Sequence, residues 1–193
     1  MRIIIKPLGF LVLGFVAIAG IAIPSLKRGG QAAPSLLGTL SGDHRENLAQ
    51  PEGWQAYGTA GGEQNSQALT SLPAGVSNAQ SVHIETKKFT NEPWAIGYTQ
   101  TLIAEFVDKE TVTLSFWARS HESQHLRIAM QFASHNYHEC WNKEAEITPE
   151  WKEYRYIFQT EAFKSKEGSL AFQTGFRVGW VELAGITLRR GSR

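Results

Sequence analysis

Cysteine is almost absent. Cys140 stands alone in 193 residues, so no intrachain disulfide can form and the fold must rest on its apolar core. Helical signal is missing too: no segment after residue 30 keeps a 3.6-residue apolar period over three turns, which excludes a helix bundle. There is no G-x-S-x-G elbow and no H-E-x-x-H pair, the marks of serine hydrolases and zinc proteases. Aspartate occurs twice, as Asp43 and Asp108. No internal repeat or low-complexity tract is present. Nor is there concentrated positive charge. Residues 1–30 hold four basic and no acidic side chains, leaving 15 Lys and Arg against 18 Asp and Glu beyond them, a net charge of −3. A nucleic-acid partner, which needs a clustered basic surface, is therefore not expected.

What is present begins with a distinct N-terminus. Arg2 and Lys6 precede LGFLVLGFVAIAGIAI, sixteen uncharged and mostly apolar residues from Leu8 to Ile23, and Pro24 follows. A positive segment before an apolar one is the pattern of a secretory signal, with possible cleavage after Ala19 or Ala32. If Ile3–Ile5 join the run and Lys6 snorkels, residues 3–23 approach the length of a membrane anchor. Both readings export the remainder, as a secreted, periplasmic or cell-surface protein. The expected organisation is a hydrophobic helix (signal peptide or anchor) over 1–30, a Gly-, Ser-, Pro- and Ala-rich linker over 31–47, and a folded domain over 48–193.

From Leu48 onward short alternating runs follow one another: WQAY, ALTSL, SVHIE, WAIGYTQTL, TVTLSFWAR, LRIAMQF, EYRYIFQ, SLAFQTGFRV and WVELAGITL. Nine short strands parted by turn-like stretches predict an all-β fold, a jelly-roll β-sandwich. Apolar faces can be assigned: Val112, Leu114, Phe116 and Ala118; Leu126, Ile128, Met130 and Phe132; Tyr154, Tyr156 and Phe158; Leu170, Phe172 and Phe176. The opposite faces carry Arg127 and Gln131, Arg155 and Gln159, Gln173 and Arg177. Gln and Arg can make paired hydrogen bonds to vicinal hydroxyls, yet both are common on solvated strand faces. In TVTLSFWARS, Trp117 and Arg119 share the polar face. Trp117 meets Arg127 in a cation–π contact if the next strand pairs directly, and not if it crosses to another sheet.

EPWAIGYTQTLIAEFVDKETVTLSFWARS resembles the central stretch of CenC-type carbohydrate-binding modules, the family 4, 9 and 22 group. ITPEWKEYRYIF and LAFQTGFRVGWVELAGITL resemble, in order, that group's Trp-containing strand and closing hairpin, so the likeness spans roughly residues 48–190. It implies a galactose-binding-domain-like jelly roll that holds glycan chains without cutting them, in a groove across one sheet. Trp94 falls where such modules place an aromatic platform. Gln131 and Gln173 lie on strands that face the ligand, and Tyr137 and Trp141 lie near a second aromatic position. Trp117 and Arg119 are secondary candidates. The group's closing strand commonly carries acids that help hold a structural calcium. Here VELAGITL has Ala184 and Gly185 instead, and calcium wants six to eight oxygen ligands. That calcium site is expected to be absent or weakened, and no other cofactor is expected.

The chemistry suits sugar. A pyranose has an apolar C–H face on which Trp and Tyr can stack, while Gln, Arg and Asn fix its hydroxyls. Trp54, Trp151 and Trp180 read instead as core or sheet-edge residues. The expected partner is a polysaccharide, a plant or microbial β-glycan, bound by a monomer. The rival classes are a sandwich that kept the fold and serves structure or protein contact, and a small polysaccharide-active enzyme. An enzyme would use Tyr137, His135 and His138 as a lyase, or a carboxylate pair drawn from Glu139 and Glu182. A zinc site of His135, His138 and Cys140 lacks a fourth ligand.

Overall fold

Alternating side chains commit most of this chain to half-buried strands, and such strands must find a second layer. The computed structural model describes residues 46–76, 81–133 and 137–191; within them, two five-stranded sheets pack face to face. The first sheet runs β1 (Trp54–Gly58), β4 (Ile96–Thr101), β9 (Gly168–Gln173), β6 (Gln124–Phe132) and β7 (Glu139–Ile147). The second runs β2 (Glu63–Gln67), β3 (Val82–Lys88), β10 (Gly179–Arg190), β5 (Thr111–Ser120) and β8 (Lys152–Gln159). Every pairing is antiparallel. The expected all-β sandwich is observed. The one helical segment among the described residues is a short 3-10 turn, Pro93–Ala95, and among them no helix is long and apolar enough to cross a membrane. The expected N-terminal helix of residues 1–30, and all of the 31–47 linker except its last two residues, lie outside the described residues.

The core lies between the sheets. Val112, Leu114, Phe116 and Ala118 of β5 are all fully buried, as the alternation predicts. Phe116 stacks on Tyr154 of β8 (centroids 5.3 Å apart) and meets Phe172 of β9 edge-on at 4.9 Å, tying the second sheet to the first. Leu126, Ile128 and Met130 of β6 join the same core. Asn47, at the expected end of the linker, is stitched to β10. Its amide oxygen accepts from the N–H groups of Leu188 (2.8 Å) and Ala49 (3.1 Å), and its amide nitrogen donates to the Ile186 carbonyl.

The strand assignments need three corrections. ALTSL is not a strand; the neighbouring EQNSQ is, as β2. That edge strand is mostly exposed, so it carries no apolar alternation to reveal it. β7 extends the expected HNYHECW loop-and-strand through Asn142–Ile147, where Glu and Lys obscure the period. In SLAFQTGFRV only the first part is strand, and Phe176 lies outside the core, beside the His125 ring. Of the two pairings left open for Trp117, the structure has the second: β5 and β6 lie in different sheets, so Trp117 does not meet Arg127. Arg119 instead sits over the Trp151 and Trp180 rings, at 4.8 and 5.7 Å from their centroids.

Candidate functional site

The outer face of the first sheet carries a cleft of about 860 Å³, and strand register explains its shape. Three rows of side chains cross the strands. The middle row is small: Thr99 of β4, Ala171 of β9 and Ala129 of β6 are consecutive partners. One flanking row holds Tyr57 of β1, Gly97, Gln173 and Arg127. The other holds Thr101, Ser169, Gln131 and Glu139. Small residues between larger ones make a trench that runs across the strands. Ala171 and Ala129 are 1% and 0% exposed yet belong to no core cluster, because the trench walls shield them.

Three aromatic side chains bound the trench. Tyr57 lies across Gly97, where an added Cβ would sit 2.7 Å from the tyrosine oxygen and 2.5 Å from the Phe172 carbonyl. No other residue type allows that approach. Burial pushes the Tyr57 hydroxyl up to about 12, with a smaller push from Tyr137 nearby, so it stays neutral. Trp94 projects from the Pro93–Ala95 turn, 46% exposed, with its indole N–H donating to Glu92 Oε2 at 2.7 Å. That turn is held against the sheet by Thr59 N–H on the Ala95 carbonyl (2.8 Å) and Gly175 N–H on the Pro93 carbonyl (3.1 Å). Tyr137 is 65% exposed and has a left-handed backbone, φ 53°. Polar groups lie between these rings. Gln173 is buried and Gln131 half-buried, and Arg127 donates to Glu139 Oε2 at 2.6 Å and approaches Glu144 at 3.5 Å. Flat apolar faces with neutral donors and acceptors between them can stack on a sugar ring and bond its hydroxyls.

A family model described as a carbohydrate binding domain, CBM_4_9, matches residues 47–180. The chain belongs to that family. No curated protein sequence matches it. Solved structures of carbohydrate-binding modules do. One, titled for CBM4 structure and function, shares 12% identity at a TM-score of 0.58, over 77% of this chain and 96% of its own. The N-terminal cellulose-binding domain of Cellulomonas fimi β-1,4-glucanase C shares 18% at 0.54, over 75% and 92%. The family 11 module of Clostridium thermocellum, solved with a β-1,3-1,4-mixed-linked tetrasaccharide, shares 13% at 0.52, over 75% and 92%. At these identities the likeness is one of fold.

Of the residues singled out in the sequence, the structure brings Trp94, Gln131, Tyr137 and Gln173 together along this one trench. Trp141 does not join them. It turns to the interior, stacked on Phe158 at 3.9 Å, because it pairs with inward-facing Met130 in the same register that buries Ala145 and Ile147; the β7 bulge falls between Trp141 and Glu139 and re-aims Glu139 instead. Trp117 and Arg119 are on the second sheet. There Arg119 donates to Glu182 Oε2 at 2.6 Å, and Glu182 Oε1 is 2.9 Å from His83 Nδ1. Glu139 and Glu182 thus lie on different sheets and cannot act as one carboxylate pair. His135 lies outside the described residues. His138 is 3.5 Å from Glu161, and Cys140 donates to the Met130 carbonyl, its thiol pushed up by burial. Among the described residues no three His, Cys, Asp or Glu side chains gather.

Tyr57 is the groove residue that sequence reasoning passed over. Alternation in WQAY does put it opposite Trp54, whose ring stacks on Tyr98 at 4.9 Å. Nothing local said that Gly97, forty residues on, would leave it room to lie flat.

Proposed function

We propose that this domain, a jelly roll as its family implies, binds a neutral polysaccharide in the trench of the first sheet without cleaving it. One observation carries the reading: Tyr57, Trp94 and Tyr137 bound a cleft whose floor is small and whose sides carry Gln131, Gln173 and Arg127. Rings stack on the apolar face of a sugar, and the amides and guanidinium select its hydroxyl pattern. The likeness to a module holding a mixed-linkage tetrasaccharide supports a β-glycan. Arg127 is matched by Glu139 and Glu144, which supports an uncharged chain over a uronate.

Binding is proposed to need no calcium. Ala184 and Gly185 offer no side-chain oxygen, and the Asn47 amide oxygen at the other side of β10 already accepts from two backbone N–H groups. We further propose that export, through residues 1–30, brings the domain to its glycan as a monomer.

Affinity gel electrophoresis against cellulose derivatives, xylan and mixed-linkage β-glucan tests the reading. At least one polymer is expected to retard the protein, and Trp94→Ala is expected to weaken that by roughly five-fold, about 1 kcal/mol. Free migration through every glycan at millimolar sugar would overturn it. Release of new reducing ends would overturn the non-catalytic part.

A further inference from the structure

We infer that the trench receives the end of a glycan chain rather than its middle; this rests on the sugar-binding reading above. The trench is not open along its whole length. Arg127 and Glu139 belong to opposite flanking rows, since Arg127 is paired with Glu144 on β7 and Glu139 with Gln131 on β6. Four residues of strand separate Arg127 from Gln131, roughly 13 Å at the rise of an extended chain. The two side chains nevertheless touch at 2.6 Å. To do so each must lean along the strands toward the other, and the residue midway between them on β6 is Ala129. Their ion pair is therefore a bar laid from one wall to the other across the floor.

The lining of the cleft agrees with this geometry. Of the middle row, Gln55, Thr99 and Ala171 line the cleft, whereas Ala129 and Asn142 do not. The floor of the cleft thus ends at Ala171 on β9, one strand short of Ala129, over which the bar lies. Glu144, 3.5 Å from the other arm of the Arg127 guanidinium, backs it from the β7 side. Both partners are about one-quarter exposed, which shields the pair from solvent more than a surface contact and makes it costly to push aside. At the opposite end, Gln55 on the edge strand β1 is exposed. A chain entering there would cross β1, β4 and β9, spaced about 4.8 Å apart, before meeting the bar. Its last ring would come to rest against Arg127, Glu139 and Gln131, whose hydrogen-bonding groups suit the extra hydroxyl of a chain end.

The test is stoichiometry. Mixed-linkage β-1,3-1,4-glucan is titrated by calorimetry as the tetrasaccharide and as polymer fractions of increasing length. Chain-end binding predicts one protein per chain at every length, with affinity per chain unchanged within a few-fold from the tetrasaccharide upward. The double variant Arg127→Ala, Glu139→Ala removes the bar, and the number bound per polymer chain is then expected to rise with length. Wild-type occupancy that already rises with polymer length would overturn the inference while leaving sugar binding intact. Failure to bind any glycan, with the fold intact by circular dichroism, would remove the sugar-binding reading and this inference with it.

Discussion

Gly97→Ala is the smallest change that probes the trench. An added Cβ would sit 2.5 Å from the Phe172 carbonyl on β9 and 2.7–2.9 Å from the Tyr57 ring. The backbone contact cannot relax without parting β4 from β9. The Tyr57 contact can, by lifting the ring off the floor. Overpacking of this kind costs about 1–3 kcal/mol, and the lower chain entropy of alanine returns roughly 0.5–1 kcal/mol. A net loss of about 1–2 kcal/mol shifts the melting point of a domain this size down by roughly 3–8 °C. Losing the Tyr57 platform, worth about 0.5–1.5 kcal/mol of ring contact, weakens a retained glycan roughly two- to thirteen-fold. Thermal melts and affinity electrophoresis read the two effects separately. In the Gly97→Ala background, Tyr57→Ala should weaken binding little further, since the ring has already left. An unchanged melting point with unchanged glycan affinity would refute the claim that Tyr57 is seated on Gly97.

Glu182→Ala should lower stability alone. Glu182 is 8% exposed with both oxygens engaged by Arg119 and His83, so its loss strands a guanidinium. Arg119 keeps partial contact with water, which holds the cost to about 2 kcal/mol rather than the 3–5 of a fully buried pair. The melting point falls and glycan affinity does not change; a loss of affinity would mean that the two faces are coupled. Alkaline pH should destabilise the fold. Burial raises the Tyr98 and Tyr57 phenols to about 12, while unfolded tyrosine ionises near 10. The unfolded chain therefore loses protons first, and the stability present below pH 10 is lost as pH rises toward 12, on the order of 2–3 kcal/mol for Tyr98. Melting curves of Tyr98→Phe across that window should be flatter than wild type, and equal slopes would contradict it. Adding calcium or EDTA should leave the melting point unchanged; a rise with calcium would reveal ligands that β10 does not supply.

How much of this was legible beforehand depends on the residue. Val112, Leu114, Phe116 and Ala118 announced their burial because alternation is enforced by strand geometry alone. β2 did not, since EQNSQ lies at an edge with little to bury. Gln131 and Gln173 could be placed on outward faces from local period, and they do face outward. Glu139 could not, because one bulged position between Met130 and Gln131 turns it from the inward face it would share with Trp141 to the outward face, opposite Gln131.

The sequence by itself determined the fold class, the inner and outer faces of most strands, the lack of disulfide support and the family. These follow from local alternation and composition, which each strand carries within itself. Tertiary structure decided which outward faces meet. It set β5 and β6 in different sheets, sending Trp117 and Arg119 to one face of the sandwich and Arg127 to the other. It brought Gly97 beneath Tyr57 and laid Arg127 against Glu139 over Ala129. The physical reason is that a trench is a property of register between strands distant in sequence, and no single strand encodes its neighbours.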